Sequence, residues 1–225
     1  DLHLIERKDN SYRIAKDIQT LTIPATIQDV IMARVDSLPE DAKEVLQTGS
    51  VIEREFSYEL IKRVMEISQE ELLSHLSILK DSELVYERGI YPQSTYIFKH
   101  ALTHEVVYDS ILTTRKKKLH EVIGNAAEEL YKENIDEHYE VLAGHFIYSE
   151  NYEKGAEYSR LAGKKAAKSG SLNDAISYVQ KRIVCLEKLP VTNDLQKKII
   201  DARTALGLYI LQLNHPVEAK EAIDP

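Results

Sequence analysis

Three short amphipathic segments in succession constrain the fold of this chain more than any other feature. Ahead of the first, Ser37-Leu38-Pro39-Glu40 offers a capping serine, a proline for the first turn and a glutamate three residues on. Ser57 and the capping-box sequence Ser68-Gln69-Glu70-Glu71 predict two further helix starts. Apolar residues then recur at helical spacing, and we expect the following to face a core: Ala42, Val45, Leu46, Gly49, Ile52, Leu60, Ile61, Val64, Met65, Leu72, Leu73, Leu76 and Leu79.

Two β-leaning segments follow these helices. Leu84 to Arg88 and Thr95 to Lys99 are rich in Val, Ile, Tyr and Phe, and they are separated by Gly89 and Pro92. This pattern predicts an antiparallel hairpin. Because helices followed by a two-stranded wing make a winged helix, we predict that fold for residues 24–112.

The first residues predict a separate hairpin. His3 to Arg7 and Tyr12 to Ala15 alternate apolar and polar side chains, and Asp9-Asn10 lies where the turn would be. Pro24 then interrupts the chain. We therefore expect residues 1–23 to form a hairpin and a linker ahead of the winged helix.

The second half predicts helices only, with a connecting helix over residues 113–135 and helical repeats over 136–225. Three polar turns share one layout, in which the turn precedes a small residue on the next helix: Ser149 to Ala156, Ser169 to Ala175 and Leu213 to Ala219. Tetratricopeptide repeats place a Leu-Gly pair, an aromatic residue and a later small residue at this kind of spacing. Two sets fit it: Leu142-Ala143, Phe146 and Gly155, then Leu206-Gly207, Ile210 and Ala219.

A middle unit, from Ala162-Gly163 to Ala175, fits the repeat less well. It begins 20 residues after the first unit, whereas the usual period is about 34 residues. We interpret it as a tightly packed or degenerate repeat. A generic helical bundle, in which the small residues only mark helix crossings, remains the alternative for this half. The predicted fold class is mainly α: a winged helix with a short β-hairpin wing, followed by tetratricopeptide-like antiparallel helical repeats.

Two stretches carry a resemblance to a known family. IPATIQDVIMARVDSLPEDAKEVLQTGSVIEREF (Ile23–Phe56) and FKHALTHEVVYDSIL (Phe98–Leu112) resemble the region after the nucleotide-binding domain of bacterial STAND-type signalling ATPases. The resemblance spans residues 23–189. It implies that residues 1–23 are the trailing edge of an upstream ATPase domain. It also implies an output domain in the parent chain, which in many such proteins is a class III adenylate or guanylate cyclase.

Composition and hydropathy indicate the size of the core and the location of the protein. With 225 residues, of which 43% are hydrophobic, the chain is long enough to bury a sizeable core. No apolar run approaches the roughly 20 residues needed to cross a bilayer, and no charged-then-apolar leader is present. We therefore predict a cytoplasmic protein with no membrane partner. The lone Cys185 excludes an internal disulfide, and we expect it to pack as a small hydrophobe.

The sequence offers little for catalysis. No Gly-x-x-x-x-Gly-Lys-Ser/Thr phosphate loop exists, and Ala162-Gly163-Lys164-Lys165 lacks the upstream glycine. His100 and His104 share a helix face, but no further metal ligand is placed beside them. We predict a segment that is not an enzyme and holds no cofactor or metal. ATP or ADP with Mg would be expected only in an upstream ATPase domain.

Four residues are candidates for contacts. Since backbone donors at a helix start favour phosphate, the family resemblance of Phe98 to Leu112 implies that His100, with Lys99 beside it, senses a bound diphosphate. The alternative is that His100 only caps its helix or packs beneath the wing, and His104 is expected to be structural. The resemblance also implies that Tyr148 and Gln212 face a partner groove on the repeats, and simple packing is the alternative.

DNA binding is the competing function for a winged helix. It requires Lys and Arg to neutralise phosphates, yet the expected recognition helix carries Glu70, Glu71 and Asp81 against Lys80. The net charge of −8 points the same way, and we interpret the basic run at residues 115–118 as a solvated corner. We therefore disfavour nucleic acid as a partner.

The function expected from these features is regulatory. The winged helix would contact the upstream ATPase domain and respond to its nucleotide, while the repeats would bind a peptide, a protein or the output domain. The alternative is a free-standing adaptor in which the repeats bind a partner and the winged helix is only a spacer.

Overall fold

The computed structural model describes residues 5–8, 11–14 and 25–223. This part of the chain is mainly α-helical, with a three-stranded and a two-stranded antiparallel sheet. The helices are α1 (Ala25–Asp36), α2 (Glu40–Ile52), α3 (Tyr58–Met65), α4 (Gln69–Asp81), α5 (Ala101–Ser110), α6 (Thr113–Leu130), α7 (Tyr139–Tyr148), α8 (Tyr152–Lys168), α9 (Leu172–Glu187), α10 (Asn193–Gln212) and α11 (Pro216–Ile223). A 3-10 helix, Lys132–Glu137, joins α6 to α7. No helix among the described residues is both long and apolar enough to span a membrane.

The N-terminal hairpin forms as predicted. Strand β1 (Ile5–Lys8) pairs with β2 (Ser11–Ile14) in antiparallel register, with Ile5 opposite Ile14 and Lys8 opposite Ser11. The predicted turn residues, Asp9 and Asn10, lie outside the described residues, as do His3 and Ala15 at the outer ends of the predicted strands.

Serine caps start two of the three predicted helices. The Ser57 Oγ accepts a hydrogen bond from the Leu60 N–H at the start of α3. Ser68 and Glu71 form the predicted capping box of α4, with the Glu71 N–H donating to the Ser68 Oγ and the Ser68 N–H donating to the Glu71 carboxylate. The prediction was wrong at Ser37. Its hydroxyl instead donates to the Arg34 carbonyl at 2.7 Å. That carbonyl is one of the last four of α1, which need a partner from outside the regular helix pattern.

Ser68→Ala should therefore weaken the protein through α4. The substitution removes the side-chain acceptor of one backbone N–H and the partner of Glu71, and we expect the free energy of unfolding to fall by about 1 kcal/mol. Urea denaturation would measure it. Ser82→Ala, at the other end of the same helix and with no box to lose, is the control, and an equal loss in both variants would contradict the prediction.

Helix α1 was not predicted from the sequence. Pro24 suggested an interruption of the chain there. Ile27 and Val30 along the helix are exposed, so the apolar residues of α1 do not form one buried face. The helix attaches at its C-terminal end, where Val35 is fully buried and the Arg34 guanidinium donates to the Ser82 carbonyl at 2.9 Å. A long-range contact, rather than a local pattern, therefore holds it.

The predicted wing pairs with a third strand. β4 (Val85–Arg88) and β5 (Thr95–Phe98) form the expected antiparallel hairpin, and β3 (Glu55–Ser57) adds to the other edge of β5 in the order β3-β5-β4. Three aromatic side chains of this sheet are buried together: Phe56, Tyr96 and Phe98. The sheet is thus anchored to the helices through its aromatic face.

Helices α6 to α11 form one stack in which each helix packs on the next. The three turns that share a sequence layout also share a backbone conformation. Each has one residue in the left-handed region two positions before the next helix begins: Glu150 (φ 64°), Gly170 (φ 83°) and Asn214 (φ 65°). We refer to α6–α11 as the helical stack.

Helix α8 belongs to two helical hairpins at once. A Cβ on Gly155 would lie 3.1 Å from the Ile147 side chain of α7, and one on Gly163 would lie 3.4 Å from the Tyr178 Cβ of α9. The two glycines therefore admit a neighbour on each side. Because the first and middle sequence units share this helix, they begin only 20 residues apart.

The hydrophobic core crosses the predicted domain boundaries. One cluster joins α2–α4 and the sheet to Ile123 of α6, Phe146 of α7 and Tyr158 of α8. A second, smaller cluster lies within the stack: Ala156, Val179, Cys185, Leu186, Leu195, Ala202 and Leu206. Helices α6 and α7 thus contribute to the core of the N-terminal helices as well as to the stack.

Candidate functional site

A cleft of about 430 Å³ lies where the N-terminal helices meet the stack. We call it the junction cleft. It is lined by the end of α2 and the two residues that follow it (residues 50–54), by His104 and Tyr108 of α5, by His120 of α6, and by one face of α7 that includes Glu140 and His145. Four elements distant in sequence therefore contribute polar side chains to one concavity.

A chain of hydrogen bonds runs along its inner wall. The Tyr108 hydroxyl lies 3.1 Å from the His120 Nε2, and the His120 Nδ1 lies 2.9 Å from the His145 Nδ1. One imidazole must donate and the other accept in that second bond, so the two rings hold different tautomers. The two histidines share no sequence motif, since they are 25 residues apart.

Burial keeps both imidazoles neutral. Loss of solvent lowers the pKa of His120 to about 4, with the Lys116 charge adding to the effect. Loss of solvent likewise lowers the pKa of His145 to about 3, with His120 as the second cause. Because a general acid or base works best with a pKa near the ambient pH, this pair is suited to packing and hydrogen bonding near neutrality.

His104 is a structural residue, as the sequence predicted. Its Nε2 lies 2.9 Å from the Ser50 carbonyl, one of the last four of α2, which have no partner within a helix. The ring also packs edge-on against Phe98, with centroids 5.1 Å apart. His104 thereby ties α5 to the end of α2.

His100 and Lys99 lie at the point where β5 leads into α5. His100 occupies the N-cap position, but its side chain makes no capping bond and is exposed. The Lys99 ammonium is also exposed and pairs with Glu83 at 3.2 Å. The side chain of His100 therefore does not cap α5, which was one alternative to the sensing role.

Tyr148 and Gln212 lie at the ends of two different helices of the stack, α7 and α10. Tyr148, the last residue of α7, is 62% exposed and stacks on His120 at the rim of the junction cleft, with ring centroids 4.9 Å apart. Gln212 is exposed at the end of α10. The sequence had assigned both to one partner groove.

A larger groove, of about 730 Å³, opens between α8, α9 and α10. We call it the α8–α10 groove. Its apolar lining comes from Ala156, Leu186, Leu189, Pro190 and Leu195. Its charged lining comes from Glu153, Lys154, Glu157, Arg160, Arg182, Asp194 and Lys198. Neither Tyr148 nor Gln212 is among these residues, and no sequence motif pointed to this groove.

The basic run at residues 115–118 is largely paired. Arg115 contacts Glu44 at 2.8 Å, and Lys117 contacts Glu150 at 2.6 Å. Lys116 lies 3.7 Å from Asp109 and also sits over the Tyr108 ring. These pairs connect the start of α6 to α2, α5 and the α7–α8 turn.

Cys185 packs as the sequence predicted. It is 1% exposed, and burial raises the pKa of its thiol to about 11. Its sulfur would lie 3.4 Å from a Cβ on Gly155, so the thiol fills the space beside that glycine. A thiol in this environment stays protonated near neutral pH.

Within the described part of the chain, no three His, Cys, Asp or Glu side chains converge as a metal site would require. No protein-family model matches the chain, and comparison with curated proteins returns no match. The candidate sites for function are therefore the junction cleft, the α8–α10 groove and the β5–α5 junction.

Proposed function

We propose that this chain is a non-catalytic regulatory and protein-interaction segment of a larger signalling ATPase. In this proposal α1–α5 with strands β3–β5 act as a winged helix that contacts the upstream ATPase domain. The helical stack acts as tetratricopeptide-like repeats that bind a partner or the output domain. The observation that carries the proposal is the stack itself, since antiparallel helices joined by one repeated turn present long grooves to other polypeptides.

The β5–α5 junction is the proposed contact with nucleotide. His100 and Lys99 are exposed, and they stand at a helix start whose backbone N–H groups favour phosphate. The exposed pair between Lys99 and Glu83 costs little to exchange, because such surface pairs contribute about 0 to 1 kcal/mol. The nucleotide and its Mg would belong to the upstream ATPase domain, and a diphosphate bound there would favour the docked state.

The test is nucleotide affinity in the full-length parent protein. With His100→Ala we expect ADP affinity to fall about tenfold, the loss of one hydrogen bond to a charged group, while ATP affinity holds. Calorimetric titration would measure both. His215→Ala, which removes an exposed histidine of the stack, is the control. Equal affinities in wild type and His100→Ala would refute the sensing role.

A second function is favoured by the position of the α8–α10 groove. All of its lining comes from the stack, so a partner could bind there without any contribution from α1–α5. This arrangement suits a free-standing adaptor. A parent protein that binds no nucleotide, yet retains partner binding by the stack, would favour the adaptor over the ATPase segment.

A further inference from the structure

The α8–α10 groove has a charge balance opposite to that of the whole chain. Its lining holds four cationic side chains, Lys154, Arg160, Arg182 and Lys198, against three carboxylates. The chain as a whole has a net charge of −8. The groove is therefore a locally basic concavity. It differs from an ordinary charged surface because apolar side chains also line it.

Three of these four cations already have carboxylate partners. Arg160 donates two hydrogen bonds to Glu157, at 2.5 and 2.9 Å. Lys198 pairs with Asp194 at 2.8 Å, and Lys154 pairs with Glu128 outside the groove. Their charges are therefore largely satisfied by the fold.

Arg182 differs from the other three. Within the part of the chain that the structure describes, no carboxylate lies within 4.0 Å of its guanidinium. The side chain is half-buried, and burial lowers the pKa of Arg182, with the neighbouring Arg160 as the second cause and Asp201 and Glu157 opposing. A guanidinium removed from water without a partner is energetically costly, and a bidentate carboxylate is the group that best relieves the cost.

The surroundings of Arg182 indicate what carries that carboxylate. Leu186, Leu189 and Leu195 line the groove beside it, so the ligand brings apolar side chains as well as a charge. A polyphosphate or nucleic-acid backbone would meet Glu153, Glu157 and Asp194, which also line the groove. The volume of about 730 Å³ lies within the roughly 300–1,000 Å³ typical of ligand pockets.

We propose that the α8–α10 groove binds a short peptide segment in which an Asp or Glu side chain lies beside aliphatic residues, with Arg182 as the carboxylate receptor. The aliphatic side chains pack on the three leucines, and the carboxylate pairs with the guanidinium. This inference rests on the proposed role of the stack as a binding module and specifies the chemistry of its partner.

The probe is a phage-displayed library of random octapeptides, selected against the 225-residue chain. We expect enrichment of peptides that combine Asp or Glu with Leu, Ile or Val. A synthetic copy of the most enriched peptide should bind Arg182→Gln about tenfold more weakly than wild type. Lys181→Gln is the matched control, because it removes the same charge from the neighbouring exposed position of α9.

A double-substitution cycle makes the test specific. Replacing the peptide carboxylate by its amide should cost about tenfold on wild type and almost nothing on Arg182→Gln, since the two changes remove one interaction. The urea midpoint of Arg182→Gln checks that the variant still folds. It should not fall, because the substitution leaves no carboxylate among the described residues without its partner.

The outcomes separate the two proposals. Selected peptides without a carboxylate preference, or with equal affinity for Arg182→Gln, would overturn the carboxylate receptor while leaving a binding module. A library that yields no binding peptide would overturn both.

Discussion

Lowering the pH from 7 to 5 should reduce the free energy of unfolding by about 2 to 4 kcal/mol through the histidine pair of the junction cleft. The pKa of His120 is about 4 and that of His145 about 3 in the folded protein, whereas unfolded histidine has a pKa of about 6.5. As the pH falls through 6.5, the unfolded state binds protons that the folded state does not. The folded protein therefore has its full stability above pH 6.5, and it loses stability as the pH falls from 6.5 to about 4 for His120 and to about 3 for His145.

Urea denaturation at pH 7, 6 and 5 would measure this slope. The double variant His120→Gln/His145→Gln retains hydrogen-bonding groups without the titration, so its stability should change far less across the same range. Other histidines are present in both proteins and cancel in the comparison, and carboxylates titrate mainly below pH 5. A double variant with the wild-type slope would show that the pair is not the cause.

Gly49→Ala should lower the free energy of unfolding by about 1 to 3 kcal/mol, although alanine favours helices. A Cβ at Gly49 would lie 2.7 Å from the Phe56 Cε1 and 2.8 Å from its Cζ. That ring is 1% exposed and is held between Tyr96 and Phe98, so it has little space to move. The clash of the new methyl group with Phe56 therefore strains the packing of α2 against the sheet.

Gly144→Ala is the matched control for that experiment. It makes the same substitution inside α7, where a new Cβ would lie more than 4 Å from every neighbouring side chain or backbone atom that the structure describes. We expect it to stabilise the protein by about 0.5 to 1 kcal/mol, since alanine loses less backbone entropy than glycine. Urea denaturation of both variants should give opposite signs. Stabilisation by Gly49→Ala would mean that Phe56 is not fixed as described.

Local sequence signals were sufficient to predict a helix where the segment contains its own capping residue and a regular apolar face. Ser57 and Ser68 mark the starts of α3 and α4, and the spacing of Leu72, Leu76 and Leu79 gives the buried face of α4. The hairpin of β4 and β5 was equally predictable from the sequence, because its two strands are near neighbours in the chain. These elements owe their identity to interactions within a few residues.

Elements held by distant contacts were missed. Strand β3 has three residues, and it is a strand only because β5, about forty residues later, lies beside it. Helix α1 is fixed at one end by Val35 and Arg34 rather than by a full apolar face. The pairing of His120 with His145 likewise depends on how α6 packs against α7, which spacing alone does not encode.

The α8–α10 groove could not be predicted for a related reason. Its decisive feature is that no carboxylate among the described residues pairs with Arg182, whereas Arg160 and Lys198 find partners one helical turn away. Pairs at such spacing are visible in the sequence. The absence of a partner for Arg182 depends on which carboxylates the fold brings near, and that requires the packed helices.

The continuous packing from α6 to α11 gives the two ends of the stack a mechanical connection. Each helix packs on the next, and α8 also contacts α6 directly, because Lys154 and Tyr158 both bind Glu128. Since closely packed helices transmit strain to their neighbours, a rotation of α6 would shift α8 through Glu128 and the later helices through their packing. A structural change around His120 would thus reach contacts that lie several helices away.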